Sequence, residues 1–193
     1  MKTRFMVLCA SLLAGMAPAW ADWEVAAGSQ IQFVSIKNNM IGEVSYFESI
    51  SGTVTDAGAV SVQVALASVE TNIGISNERM REFLFEVGVY PEAAITAQLD
   101  PEVLAAAVSG ESEILSATLQ IDLHGQMISK EASLKVSSTA QGLSATTTQP
   151  ILLTASEFEL EEGVAALQKI AGLNAISRII PVTFALRFQP STP

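Results

Sequence analysis

The sequence predicts an all-β protein, an antiparallel meander or up-and-down barrel that carries two short helices. Three observations lead there. Apolar and polar residues alternate in one stretch after another, tight-turn signals join neighbouring stretches, and the period becomes helical in only two places. Clean alternation marks antiparallel strands, because parallel strands buried on both faces read as continuous apolar runs.

The elements follow in chain order. Ile31 and Phe33 alternate with Gln30 and Gln32, then Asp56-Ala57-Gly58 marks a turn. Val60, Val62, Val64 and Leu66 alternate with Ser61, Gln63, Ala65 and Ala67, the period-2 pattern of a strand with one buried face. Met80, Phe83 and Leu84 then fall at helical spacing after Asn77, a residue suited to an N-cap. Tyr90-Pro91 ends this excursion, and Ile95-Thr96-Ala97 resumes an extended pattern. Strand, short helix and return strand is how a barrel acquires a lid. No turn residue marks Ala105 to Val108, but Ser109-Gly110 follows. Ala117, Leu119, Ile121 and Leu123 alternate with Thr118, Gln120, Asp122 and His124, and Gly125 can take the positive φ of a tight hairpin. Ala132, Leu134 and Val136 form the returning face. A second helix is expected over Glu162 to Ala171, with Val164, Leu167, Ile170 and Ala171 as its stripe, acids at its start and Gly172 at C′. Val182, Phe184, Leu186 and Phe188 alternate through the last strand.

The N-terminus has the form of a secretory signal. Lys2 and Arg4 precede an apolar run from Met6 to Met16, and Ala19-Trp20-Ala21 is an A-x-A site. Residues 1–21 are therefore expected to be cleaved after Ala21, leaving a single domain over 22–193 in the periplasm. The apolar run is shorter than the roughly 20 residues that span a bilayer, and no stable membrane anchor is expected. Cleavage removes Cys9, the one cysteine, together with Lys2 and Arg4 but no acid, taking the formal charge from −10 to −12. Such a domain is repelled by nucleic-acid phosphates and anionic membranes. The 49% hydrophobic content suits either an apolar lumen or an ordinary packed core.

Motifs for catalysis are absent. There is no G-x-S-x-G, P-loop, G-x-G-x-x-G or H-E-x-x-H, and no D-x-D-x-D-G loop accompanies Glu157, Glu159, Glu161 and Glu162. That acidic group reads as a solvated rim with helix N-terminal charge. The single histidine, His124, borders a turn and reads as a hairpin residue; no second histidine exists to build a metal cluster. No enzyme, metal or cofactor is expected. Arg79 and Glu82, three apart, suit a surface pair; alternatively Arg79 or Arg81 stands at a barrel mouth and hydrogen-bonds a ligand's oxygens. The aromatics Phe33, Tyr46, Phe47, Phe83, Phe85, Tyr90, Phe158 and Phe184, with Leu84, are the candidate ligand-binding residues beside Arg79. Each is equally at home in a core.

One family resemblance covers almost the whole chain after the signal. Val-Glu-Thr-Asn from Val69, Asn-Glu-Arg-Met-Arg-Glu from Asn77, Leu-Phe-Glu-Val from Leu84 and Val-Tyr-Pro from Val89 resemble, in order, the central signature of the YceI-like family. Ser29 to Phe33, Ile50 to Val54, Leu119 to Gln126 and Ser156-Glu157-Phe158 resemble its other elements. The resemblance implies a lipocalin-like antiparallel β-barrel of about eight strands. It also implies non-catalytic, periplasmic binding or transport of an isoprenoid, quinone-like or other amphiphilic lipid in the lumen. The runner-up is a cell-envelope accessory protein with a filled barrel, serving a redox or stress-response partner; as partners, a second copy in a homodimer or an envelope protein is expected beside the amphiphilic lipid. The chain departs from the family pattern at Phe83, Leu84 and Glu86, where Asp, Phe and Asp are usual, and at Glu159, where glycine is usual.

Overall fold

The structure, a computed structural model, describes residues 23–191. The expected signal segment lies outside the described residues. Among those described, twelve strands form one antiparallel sheet. In chain order they are β1 (Trp23–Val25), β2 (Gln30–Lys37), β3 (Ile41–Phe47), β4 (Ile50–Val54), β5 (Ala59–Ala65), β6 (Val69–Glu70) and β7 (Glu92–Gln98). There follow β8 (Ser112–Leu123), β9 (Gln126–Thr139), β10 (Gly142–Thr147), β11 (Ile151–Thr154) and β12 (Ile179–Pro190). The neighbour order β1-β4-β5-β7-β8-β9-β10-β12 closes when β12 returns to β1, with Val25 opposite Phe188. This is an eight-stave barrel, a closure that removes free sheet edges. Several staves are jointed. β1 and β2 run along β12 from Val25↔Phe188 to Phe33↔Val182, and β10 and β11 line its other side.

Alternation decides which face turns inward. Val62 and Val64 on β5, Ala117, Leu119 and Ile121 on β8, Ala132, Leu134 and Val136 on β9, and Leu186 and Phe188 on β12 are all buried. The β8–β9 ladder is the longest, from Ser112↔Ser137 to Leu123↔Gln126. It is turned by His124 and Gly125 alone, at φ 54° and 76°. Two successive positive φ values define a type I′ turn, whose twist matches the strands it joins.

Three short helices stop the two ends. α1 (Gly74–Arg79) continues into a π turn over Met80–Leu84, closed by Phe85 N–H donating to the Met80 carbonyl at 2.9 Å. α3 (Glu161–Ile170) lies across that turn, and both cap the end of the barrel marked by Leu123 and Phe158. α2 (Pro101–Val108) fills the opposite end with buried Leu104 and Ala107.

Two expectations need correction. α2 is a third helix, unforeseen because its stripe of alanines lacks amphipathic contrast. Its start signal was nonetheless present: Asp100 accepts from Glu102 N–H at 2.9 Å, and Pro101 occupies the first turn. Asn77 is not an N-cap. It sits inside α1, 5% exposed, accepting from Thr71 N–H and Oγ1 at 2.8 and 2.7 Å and donating to Glu70 Oε2 at 2.8 Å. Its amide is spent on the approach loop rather than on the helix's first turn. The second helix lies within one residue of the expected span, and Gly172 follows it at φ 64°.

Candidate functional site

The barrel encloses two stacked apolar voids. The larger, about 150 Å³, lies under the α1–α3 lid and has Thr154 as the one polar residue in its wall. A smaller void of about 60 Å³ lies nearer α2, with Ser144 as its one polar wall residue. Phe184, Ile95 and Leu119 border both and divide them. The apolar wall follows from the alternation of the strands, which sends every second side chain inward.

A third void of about 110 Å³ opens from the larger one between α1, α3 and the β2–β3 hairpin. Phe33, Leu84, Val164 and Ile180 are walls of both. The remainder of this vestibule is mixed: Met80, Leu167 and Ile176 stand beside Ser45, Thr71, Lys37, Glu43 and Arg79. Lys37 and Glu43 form an ion pair with each other. Arg79, half-buried, has no ion pair or hydrogen bond within the described residues, so the expected pair with Glu82 does not form.

The lid is tied down by polar contacts at its margins. Glu70 beside α1 accepts from Asn77 Nδ2 and from the backbone N–H groups of Asn72 and Thr71; these bonds, the Asn77 one foremost, with the Arg81 charge, hold its carboxyl below the usual carboxylate range. Glu157 accepts from Lys130 Nζ at 2.6 Å and from Thr154 N–H at 2.8 Å, and Lys130 above all holds its carboxyl below that range. The second contact belongs to a capping box that starts the 3₁₀ turn Ala155–Phe158. His124 brings one ring nitrogen to 2.8 Å from Glu86 Oε2 and the other to 3.2 Å from the Phe158 carbonyl, with its ring 4.2 Å from that of Tyr90. The lone histidine therefore fastens the β8–β9 turn to both halves of the lid.

The sequence-named residues divide by position. Phe33, Phe47, Leu84, Phe85, Phe158 and Phe184 border the large void, where Phe47 stacks between Phe33 and Phe85 at centroid distances of 5.6 and 5.8 Å. Arg79 borders the vestibule. Tyr46, Phe83 and Tyr90 border neither, which corrects their expected place. Tyr46 alternates with Phe47 and so faces outward; Tyr90 stacks on His124; Phe83 is 38% exposed, because the π turn rotates it off the face that carries Leu84 and Phe85. The aliphatic walls Ile95, Leu119, Ile121, Val164 and Ile180 went unnamed. Their signal was the strand alternation, and for Val164 the apolar stripe of α3, neither of which distinguishes a cavity wall from a packed core.

A model of the YceI-like domain matches residues 23–188. The chain belongs to the YceI-like family. Among solved structures, this YceI-like chain is 31% identical to a polyisoprenoid binding domain from Saccharophagus degradans implicated in plant cell wall breakdown; the match covers 89% of this chain and 100% of that one, with a TM-score of 0.85. Burkholderia cenocepacia BcnA, 16% identical over 83% of this chain and 96% of its own, superposes with a TM-score of 0.57. A Campylobacter jejuni YceI protein, 15% identical over 77% and 85%, gives 0.52. These last two share the fold. No curated protein matches the sequence. Within the YceI-like frame, Glu159 occupies the usual glycine position at φ 55°, which accounts for the glycine by backbone conformation rather than by close approach.

Proposed function

We propose that this protein binds an isoprenoid, quinone-like or other amphiphilic lipid in its barrel lumen and carries it through the periplasm without chemical change. The observation that carries the reading is the large void, walled by twenty-one apolar residues and Thr154. Such a surface offers nothing to a polar solute, while each methylene moved there from water gains about 0.8 kcal/mol. The polyisoprenoid binding domain at 31% identity supports the ligand class. A void of 150 Å³ is about the size that holds benzene. A longer chain therefore enters as the lid moves and Leu84 and Phe184 repack. The π turn in the lid is the segment suited to that movement.

Native mass spectrometry and organic extraction of protein purified from its own envelope test the proposal. A copurifying lipid or quinone is expected. A protein that retains none and binds no added prenyl alcohol would instead be an envelope accessory protein with a filled barrel. Cell fractionation with N-terminal sequencing tests the export reading, for which a mature chain beginning at Asp22 is expected.

A further inference from the structure

Exposed apolar side chains are spread unevenly over the barrel. Among the described residues, the end stopped by α2 presents two large ones to solvent, Val108 and Ile114. The lid end presents many more: Met40 is 85% exposed, and Ile41, Val44, Ile73, Ile75 and Ile170 are each 41% to 54% exposed. Three segments carry these six, and they meet at one corner. The β2–β3 hairpin turns at Asn38 and Asn39, both at positive φ, and Met40 N–H donates to the Lys37 carbonyl at 3.1 Å. This stiff type I′ turn lifts Met40 and Ile41 into solvent. Asn38 ties the turn to the stretch after α3: its N–H donates to the Ala175 carbonyl at 2.8 Å, and its Oδ1 accepts from Asn174 N–H at 2.8 Å. The start of α1 completes the corner, because Thr71 and Ser76 border the vestibule together with Glu43 of β3 and Leu173 beyond α3.

The same corner is empty of charge. Residues 38–42, 71–77 and 170–177 contain no acid, lysine, arginine or histidine, in a chain with 20 acidic and 10 basic residues. The residues that bound the three segments, Lys37, Glu43, Glu70, Glu78, Lys169 and Arg178, sum to zero, and Lys37 and Glu43 form an ion pair.

We propose that this corner is a membrane-docking surface, which lays Met40, Ile41, Ile73 and Ile75 into the interfacial layer of a zwitterionic bilayer. Charge decides the occupant. A chain of formal charge −10 is pushed away from an anionic surface. A corner without fixed charge meets an uncharged surface with no ion to strip of water. Its polar side chains are also spent within the protein: Asn38 on Asn174 N–H, Thr71 on Asn77, Asn77 on Glu70, and Ser177 on the Ile179 carbonyl. Few of them therefore trade water for lipid without a partner. Shape points the same way. The apolar side chains stand on a hairpin tip and a helix start, with the vestibule recessed between them. A deformable lipid layer follows such relief, where a rigid protein face would have to mirror it. Four shallowly inserted side chains make a reversible visitor rather than an anchored protein. The docking goes beyond the lumen reading and does not rest on it. It brings the vestibule, and Leu84 at the boundary of vestibule and lumen, against the bilayer.

The test is co-sedimentation of the chain from Asp22 onward with sucrose-loaded vesicles of phosphatidylcholine and phosphatidylethanolamine. That chain has no cysteine, so Met40→Cys, Ile73→Cys and Ile114→Cys can each carry one nitrobenzoxadiazole label. The labels at 40 and 73 are expected to brighten and shift to the blue on vesicles, and the label at 114 to stay unchanged. Binding should persist in high salt and weaken when phosphatidylglycerol is added. Met40→Asn combined with Ile73→Asn should lower vesicle partitioning by about tenfold. Melting temperature should not move, because both side chains already stand in water, and Ile114→Asn should change neither quantity. A chain that binds the neutral fluorophore N-phenyl-1-naphthylamine but no vesicle overturns the docking and leaves the lumen reading standing. A chain that binds vesicles in the expected pattern but no fluorophore upholds the docking and overturns the lumen reading. An equal response from the label at 114, or binding that requires phosphatidylglycerol, overturns the neutral, directed contact proposed. Label shifts that appear without vesicles as protein concentration rises, with a doubled mass in analytical ultracentrifugation, make the corner a contact between copies and overturn the membrane as its occupant.

Discussion

Gly163 of α3 lies against the backbone of Leu84: a β-carbon built on Gly163 would stand 2.9 Å from the Leu84 Cα and 2.5 Å from the Phe83 carbonyl oxygen. The lid is thus held by a backbone-to-backbone crossing, and Leu84, directly beneath it, borders both the lumen and the vestibule. Gly163→Ala must push α3 off the π turn, since both of these atoms belong to the backbone. The expected cost is about 1–3 kcal/mol, read from urea unfolding, with faster uptake of a neutral fluorophore by stopped flow. Unchanged stability and uptake would show that the crossing does not hold the lid.

Phe83 and Leu84 are neighbours with opposite roles. Phe83→Asp places a carboxylate in water and should leave both stability and fluorophore binding near the wild-type values. Leu84→Asp places one in an apolar wall, and loss of fluorophore binding together with several kcal/mol of stability is expected. Equal effects from the two substitutions would contradict the rotation that the π turn imposes.

Phe184 separates the two lumen voids. Phe184→Ala joins them, at an expected cost of about 3 kcal/mol in the empty protein. It should also shift chain-length preference toward a fifteen-carbon alcohol over a ten-carbon one in displacement titrations. A variant that loses stability without any shift in preference would mean the voids do not serve as one lumen.

Glu159 stands at φ 55°, where a side chain strains the backbone. Glu159→Gly relieves that strain but adds freedom to the unfolded chain, so a net gain of up to about 1 kcal/mol is expected. A fall in the urea midpoint would mean the Glu159 side chain contributes more than its conformation costs.

The Glu157 carboxyl is held below the ordinary carboxylate range chiefly by Lys130, then by Thr154. The unfolded chain therefore takes up this proton at a higher pH than the native protein does. The contribution is fully present above the ordinary carboxylate range, and is lost as pH falls from that range through the depressed native value. In urea midpoints measured across the acid limb, Glu157→Gln should be less stable than wild type at neutral pH and show a shallower decline. Parallel curves would remove Glu157 from the acid sensitivity of the lid.

The barrel was legible because a strand's buried face repeats every second residue. Val62, Val64, Leu119, Ile121, Leu134 and Val136 announce themselves from local sequence alone, and so does the His124-Gly125 turn between two alternating runs. Helices were less so. α3 showed its acids and its glycine, whereas α2 hid behind alanines, and the π turn carries no signature that separates it from an α-helix.

Alternation, antiparallel pairing and family membership were all legible before any fold was known, since each is written in neighbouring residues. Tertiary structure alone decided what the inward faces enclose. Whether Phe33, Leu84 and Phe184 fill a core or border a void depends on the circumference of a closed ring and on where α1, α2 and α3 stop its ends. It also decided that Lys37, Glu43, Thr71 and Arg79, drawn from β2, β3, the approach to α1 and α1 itself, meet at one mouth. Lys37 and Glu43 meet across the β2–β3 hairpin, but the pairing of β3 with β6 is what carries Thr71 and Arg79 to them, a contact between distant segments that no local pattern records.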